Sequence, residues 1–256
     1  MRLNYLIQLA ARMTTLGILA MLVWLALPPA RAEANHPFEP RYRALYQMAK
    51  TNWVSTPTNT AFAWQLARAT FDLAEFSTND TQRAQLAEEG IKAARSAIDH
   101  EPGNAPAHYY LALNLGQLAR TQLLGALRLV NEMEKHFKTA AELDPSLDHG
   151  GPDRNLGILY REAPGWPASI GSRSKARKHL EKAVQLHPDF PANQLELLQA
   201  HLDWKERRHA EKMLPRVRAC MASVEIEFVG QQWEWARDGW QQFWEELQMR
   251  WNRLAK

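Results

Sequence analysis

Apolar residues at helical spacing recur along this chain, and three of these runs end at a proline. The runs close at Pro102, Pro145 and Pro188, so the repeat length is 43 residues. Proline lacks the amide proton that an α-helix needs, and it disfavours helical geometry in the residue before it. Each run is therefore predicted to be a helix that ends at its proline, and the fixed period indicates a helical-repeat protein.

Small residues recur at equivalent places in these repeats. Ala97, Ala140 and Ala183 each lie five residues before their proline, where we expect two helices to approach too closely for a larger side chain. A further helix is predicted after each proline. Its pattern of a large residue, a small residue and an aromatic ring is clearest in residues 64–71 and 156–160.

These positions resemble the tetratricopeptide repeat. The resemblance implies an all-α fold, a tetratricopeptide-like superhelix of the α-solenoid type. The family's repeat has about 34 residues, so each unit here carries about nine more. The additional residues fall within the ranges 71–90, 115–133 and 160–176. We expect longer helices, or a longer loop between them, to accommodate these residues.

Two segments stand out within the repeat domain, which is predicted to span residues 33–222. Residues 123–130 are so apolar that we expect them to be a buried helix or to line a hydrophobic groove. Residues 163–171 hold two prolines and two glycines around Trp166, which predicts a shaped loop. Its indole is expected either at the mouth of the groove or in the core.

Residues 223–256 predict one long amphipathic helix rich in tryptophan. Trp233, Trp240, Leu247 and Leu254 are spaced by seven residues and form an apolar stripe, while the opposite face balances acidic and basic residues. An anionic membrane would favour lysine and arginine on that face. We therefore favour a helix that caps the last repeat, with a membrane or partner surface as the alternative.

The first 32 residues predict a signal peptide. Two arginines precede an apolar run at residues 16–27, and Ala30-Arg31-Ala32 resembles a cleavage site. The run is short for a membrane span, so we expect a cleaved leader and a periplasmic or secreted protein. A single uncleaved N-terminal anchor is the alternative, and only that case implies membrane contact.

Composition and charge narrow the range of functions. Without the leader the chain has 28 basic and 28 acidic residues, so the sequence predicts no nucleic-acid partner. The single cysteine, Cys220, excludes an internal disulfide. No catalytic arrangement, cofactor site or metal site is predicted: the pairs His179/His187 and His201/His209 are each eight residues apart, a spacing too wide for one metal ion on a helix.

The chain also resembles two families. The segment 151–188 looks like TatT, the periplasmic tetratricopeptide component of some TRAP-type transporters, and the segment 64–145 is similar to the regulator of microtubule dynamics family. The TatT resemblance implies a non-enzymatic binding protein, possible homo-oligomers and a pore for a hydrophobic ligand. Two hypotheses follow: a periplasmic protein–protein scaffold, or a carrier of a small hydrophobic ligand. The candidate contact residues are Tyr109, Tyr110, Leu124, Leu127, Arg154, Tyr160 and Trp166.

Overall fold

The computed structural model describes residues 36–122 and 125–255, which form ten α-helices. The predicted leader and Leu124 lie outside these residues. The helices are α1 Glu39–Ser55, α2 Thr60–Ala74, α3 Asp80–His100, α4 Ala105–Ala119, α5 Ala126–Leu143, α6 Gly151–Glu162, α7 Arg173–Leu186, α8 Pro191–Asp203, α9 Arg207–Glu227 and α10 Gln231–Ala255.

Successive helix pairs form four stacked repeats. The pairs are α2/α3, α4/α5, α6/α7 and α8/α9, and between first helices α2 also packs on α4 and α6 on α8. Helix α1 packs on α2, and α10 packs on both helices of the last repeat. The predicted all-α helical-repeat solenoid is confirmed.

The repeat prolines end their helices as predicted. Helices α3, α5 and α7 each end two residues before Pro102, Pro145 or Pro188. The intervening residue leaves helical geometry, but its amide still donates to the carbonyl four residues earlier, which belongs to Ala97, Ala140 or Ala183 at 2.8–3.0 Å. The three repeats therefore end with the same hydrogen bond.

These alanines sit at tight helix contacts. Ala97, Ala140 and Ala183 are at most 1% exposed. Other contacts leave no room for even one methyl group: a Cβ on Gly157 would lie 2.5 Å from Cγ of Leu180. The predicted close approach of paired helices is confirmed.

The extra residues of each repeat are accommodated in two ways. In the first two repeats they lengthen the second helix, to 21 residues in α3 and 18 in α5. The third repeat keeps helices of 12 and 14 residues and places the extra length in the loop at residues 163–172. Both predicted solutions therefore occur in one chain.

The tryptophan-rich helix α10 covers the end of the solenoid. Trp240, Trp244 and Leu247 are buried against α8 and α9, while Leu254 at the end of the stripe is 40% exposed. Helix α9 runs past residue 222 to Glu227 because its buried stripe continues to Val224. Across residues 36–122 and 125–255, no helix combines the length and apolar character of a membrane span.

Candidate binding cavity

The first helices of the repeats surround a cavity of about 500 Å³ on the concave face of the superhelix. Helix α1 and the start of α10 complete its wall. Its lining includes seven aromatic residues, Tyr42, Phe71, Tyr109, Tyr110, Phe190, Trp233 and Trp235, and six charged residues, Arg41, Arg68, Asp72, Asp148, Arg154 and Glu196. An aromatic wall with a few polar groups is typical of a ligand site.

Side chains from the two ends of the solenoid meet at the rim of this cavity. The Trp235 ring of α10 lies 5.2 Å from the Tyr42 ring of α1 and 5.0 Å from the Phe76 ring, between centroids. Arg41 also donates a hydrogen bond to the carbonyl oxygen of Gln231. The superhelix therefore closes on itself through side chains rather than through broad helix packing.

One side of the cavity is built on an unusual turn before α6. Asp148, His149 and Gly150 all have positive φ angles, of 48°, 54° and 77°. This turn presents the Asp148 carboxylate to Tyr109, whose hydroxyl donates to it at 2.6 Å, and to Arg154, whose Nη2 donates at 2.6 Å. Burial raises the pKa of the Tyr109 hydroxyl well above its usual value, so Tyr109 remains a hydrogen-bond donor to Asp148.

The charge of Arg154 is held by groups from three elements. Its Nη1 donates to Oδ1 of Asn193 on α8 at 3.0 Å, and its guanidinium lies over the Phe190 ring, 5.2 Å from the centroid. The buried Glu196 is paired with Arg161, at 3.0 Å between Oε2 and Nη2. Arg154, Asp148 and Glu196 therefore have protein partners that satisfy their charge.

The Asp72 carboxylate has a more distant ion-pair partner than Asp148 and Glu196 have. Its side chain is 21% exposed, and its ion pair with Nε of Arg68, one turn earlier on α2, is 3.6 Å long. Burial raises the pKa of Asp72 to about 6, although the Arg68 charge acts in the opposite direction. A pKa that is raised by burial within a cleft is typical of a binding or catalytic carboxylate.

Three of the predicted contact residues line the cavity: Tyr109, Tyr110 and Arg154. Tyr160 is buried elsewhere, where its hydroxyl donates to Glu134 on α5 and its ring stacks on His179 of α7. Leu127 lies on α5 with 41% of its surface exposed and is not part of the cavity wall. The predicted apolar pore lined by Leu127 is therefore wrong in position, because α5 is a second helix and lies outside the concave face.

Trp166 does not line the cavity either, and it is not buried in the core. It is 88% exposed in the loop between α6 and α7. The loop is shaped as predicted, since the Gly171 amide donates to the Pro164 carbonyl oxygen at 2.9 Å. From the same loop, Ile170 packs against the core. Both predicted positions for the indole are wrong.

The neighbouring residues Asp153 and Arg154 of α6 make contacts with different elements. Asp153 is fully buried and accepts from Nδ1 of His179 at 2.7 Å, with Nζ of Lys182 at 2.8 Å. These contacts join α6 to α7. Arg154 belongs to the cavity, as described above.

His201 and His209 are closer together than their spacing on a single helix predicted. The two histidines lie on successive helices, α8 and α9, with ring centroids 5.2 Å apart, and one possible ligand atom each of His201, Glu206 and His209 lies within 4.8 Å of the others. Arg173 and Arg177 both donate to Glu206, and mainly the Arg177 hydrogen bond lowers its pKa to about 2. Because two guanidinium groups would repel a divalent cation here, we interpret the cluster as an ion-pair network.

A larger depression, of about 760 Å³, lies on the outer surface between α3 and α5. Six of its eleven lining residues are charged, among them Lys92, Arg95 and Glu132, and Arg95 is already paired with Glu132 at 2.7 Å. It has no aromatic lining comparable to that of the concave face. We therefore assign the candidate site to the cavity.

Several cavity residues were missed by the sequence analysis, notably Asp72, Asp148 and Trp235. Asp72 follows Arg68 by one turn on the predicted first helix, so the two side chains could have been predicted to lie on the same face of that helix. Trp235 could not be placed from local spacing, because its contact with Tyr42 depends on the curvature of the whole superhelix.

Comparison with known proteins supports the same fold. A family model described as regulator of microtubule dynamics protein 1-3 matches residues 32–148. The crystal structure of TTC0263, a thermophilic TPR protein of Thermus thermophilus, matches with a TM-score of 0.55 at 15% identity, covering 99% of this chain and 98% of that one. The chain has a tetratricopeptide-like fold.

A second solved structure, the crystal structure of MamA protein, matches with a TM-score of 0.50 at 14% identity, covering 78% of this chain and 92% of that one. No curated protein matches the sequence. At these identities the solved structures support the fold alone. The resemblance to TatT stays a prediction.

Proposed function

We propose that this protein is a non-enzymatic interaction module that receives a segment of a partner polypeptide in its concave cavity. The observation that carries the proposal is the convergence of seven aromatic residues with the weakly paired Asp72 around one cavity. Repeat proteins commonly bind partners on their concave surface. An extended segment or a single protruding side chain fits a cavity of about 500 Å³, whereas a folded domain does not.

Binding without chemistry is supported by how the reactive groups are engaged. Asp148 and Glu196 are paired with arginines, and Tyr109 donates to Asp148. The Cys220 thiol donates to the Asp189 carbonyl oxygen, and burial raises its pKa to about 11, so it is not a nucleophile at neutral pH.

A carrier of a small ligand is the second candidate. The cavity volume of about 500 Å³ lies within the range of about 300–1,000 Å³ that is usual for small-molecule sites. The contact between Trp235 and Tyr42 also closes the superhelix. A closed superhelix would retain a small molecule better than a long peptide. A link to TRAP-type transport rests on the TatT resemblance and belongs to this second candidate. A periplasmic location rests on the predicted leader and is proposed for both candidates.

Site-specific photo-cross-linking tests the proposal. Met48 and Val54 are both exposed residues of α1, but only Met48 lines the cavity. A photoreactive phenylalanine analogue at position 48 should form adducts with one defined polypeptide in cells, and the same analogue at position 54 should not. The adducted peptide is then identified by mass spectrometry.

The alternative outcomes are distinct. Adducts of a few hundred daltons at position 48 would favour the small-ligand carrier. Equal polypeptide adducts at positions 48 and 54 would show that contact does not depend on the cavity, and the proposal would be abandoned. A filled cavity, as in Ala69→Trp, should abolish the specific adduct if the cavity is the site.

A further inference from the structure

We infer that the cavity recognises a primary ammonium group on an apolar stem, a lysine side chain of the bound segment, at a subsite formed by Asp72, Tyr42 and Tyr110. This inference rests on the proposed function and names the chemistry that the cavity selects. Asp72 comes from α2, Tyr42 from α1 and Tyr110 from α4, so three helices converge on the subsite.

The Asp72 carboxylate is the cavity acid with the weakest partner. Its distance of 3.6 Å to Nε of Arg68 exceeds that of a normal hydrogen bond. Within residues 36–122 and 125–255, no donor makes a hydrogen bond to this carboxylate. The Arg68 side chain is 59% exposed, so it can turn to solvent at little cost when a stronger cationic partner arrives.

The two phenols add acceptors and aromatic faces around this carboxylate. Neither hydroxyl is hydrogen-bonded to another residue in the described part of the chain, although both side chains are at least partly buried. Burial raises the pKa of both phenols, and the negative charge of Asp72 adds to this rise. Both tyrosines therefore lie close enough to the Asp72 carboxylate to interact with its charge. One carboxylate and two phenol oxygens match the three N–H donors of an ammonium group.

The rest of the cavity suits the stem of a lysine side chain. Leu45 and Met48 line it near Tyr42 on α1, and both are exposed apolar residues. The rings of Tyr42 and Tyr110 can also attract a cation through their faces. Because Asp148 and Glu196 are already neutralised by Arg154 and Arg161, the ammonium group is directed to Asp72.

Calorimetric titration with n-hexylammonium tests the subsite directly. The matched probes are hexan-1-ol and hexanoate, which keep the stem and change the head group. We expect saturable binding of hexylammonium to the full protein, with affinity lowered at least about tenfold in Asp72→Asn because a charge-assisted hydrogen bond is lost. Asp99→Asn removes an exposed carboxylate of α3 outside the cavity and should leave the affinity unchanged.

Two results would overturn the inference. One is equal affinity of hexylammonium for the wild type and Asp72→Asn. The other is equal affinity of the wild type for hexan-1-ol and hexylammonium. If Asp72→Asn does not fold, Tyr110→Phe serves instead, since it keeps the ring, removes one acceptor and should weaken hexylammonium several-fold but not hexan-1-ol.

The source of the ammonium group is tested with a pair of blocked peptides. Acetyl-Gly-Ala-Lys-Ala-Gly-amide should compete with hexylammonium, and its glutamine counterpart should not. Competition by neither peptide would overturn the lysine source and indicate a free amine. Failure of this inference can be told apart from failure of the proposed function. If hexylammonium does not bind the wild type, but the position-48 cross-link to a polypeptide persists in Asp72→Asn, this inference fails and the proposed function stands.

The pH dependence provides an independent readout. The charged and titratable groups facing Asp72 are Arg41 and Tyr42 of α1, Arg68 and Glu75 of α2, Tyr110 of α4 and Asp148 of the turn before α6. With the pKa of Asp72 at about 6, hexylammonium affinity should fall as the pH is lowered through 6. An affinity that stays constant between pH 7.5 and 5 would contradict binding at this carboxylate.

Discussion

The Tyr42 and Trp235 rings meet edge to face, with centroids 5.2 Å apart and an angle of 68° between the ring planes. Tyr42 belongs to the first helix of the described solenoid and Trp235 to the last. Phe76 adds a third ring to the contact, 5.0 Å from Trp235. These rings hold the two ends of the superhelix together and close the rim of the cavity.

Removing this contact should open the superhelix. In Trp235→Ala, we expect a larger radius of gyration in small-angle X-ray scattering, because side chains provide the contact between α1 and α10. Each aromatic pair contributes about 0.5–1.5 kcal/mol beyond its buried area, so the melting temperature should fall only moderately. The exposed Trp166→Ala is the control, and an unchanged radius in Trp235→Ala would contradict closure in solution.

Asp72 should destabilise the folded protein at neutral pH. Its folded-state pKa of about 6 lies above the ordinary value of 3.8, so the folded state holds more protons between these values. Stability therefore falls as the pH rises from about 4 through 6, by on the order of 1–3 kcal/mol. Asp72→Asn should be the more stable protein at pH 8, with the difference vanishing near pH 4.

Urea denaturation of wild type and Asp72→Asn at pH 4 and pH 8 measures this difference. Asp99→Asn, which changes an exposed carboxylate, is the control and should show little change at either pH. A variant at position 72 that is less stable than wild type at pH 8 would indicate that Arg68 stabilises the carboxylate more than burial destabilises it.

Ala140 should tolerate no larger side chain. It is fully buried where α4 and α5 pack, so Ala140→Leu should overpack the contact and lower the free energy of unfolding by about 1–3 kcal/mol. Ala222→Leu on α9 is the matched control, because Ala222 is exposed. Thermal denaturation compares the two, and equal melting temperatures would count against the repeat register.

Trp166→Ala should leave stability nearly unchanged. Because Trp166 is 88% exposed, the substitution removes little packing. Substitutions at such surface positions usually change the free energy of unfolding by no more than about 0.5 kcal/mol. A role of Trp166 in ligand or partner binding, expected from the sequence, stays a prediction. A parallel measurement of the position-48 cross-link in Trp166→Ala tests it, with the exposed Ile226→Ala on α9 as control.

Processing of the leader gives a prediction independent of the cavity. If Ala30-Arg31-Ala32 is cleaved, the mature protein begins at or near Glu33. Intact-mass measurement of protein recovered from the periplasm should show the loss of residues 1–32. Recovery of all 256 residues from the membrane fraction would favour the uncleaved anchor instead.

The sequence predicted those features that depend on local spacing. The helix ends before Pro102, Pro145 and Pro188 follow from proline chemistry, and the buried alanines follow from a period that positions equivalent residues alike. Tyr109 and Tyr110 were named as contact residues, and they lie on α4, a first helix that lines the cavity.

The features that the sequence did not predict depend on contacts between distant elements. His201 and His209 were judged as if on one helix, whereas the turn between α8 and α9 brings their rings together. In the loop after α6, Ile170 packs against the core while Trp166 is exposed to solvent. The composition of the loop does not show which of its apolar residues faces the core.

The contact between α1 and α10 also limits how this protein can change in length. An open array of repeats can gain or lose a unit, because each repeat contacts only its neighbours. Here one inserted unit of 43 residues would move Trp235 away from Tyr42 and Phe76 and leave their apolar surfaces in water. The contact between the first and last described helices therefore disfavours a change in the number of repeats, and we expect insertions to be accommodated better in exposed loops such as residues 163–172.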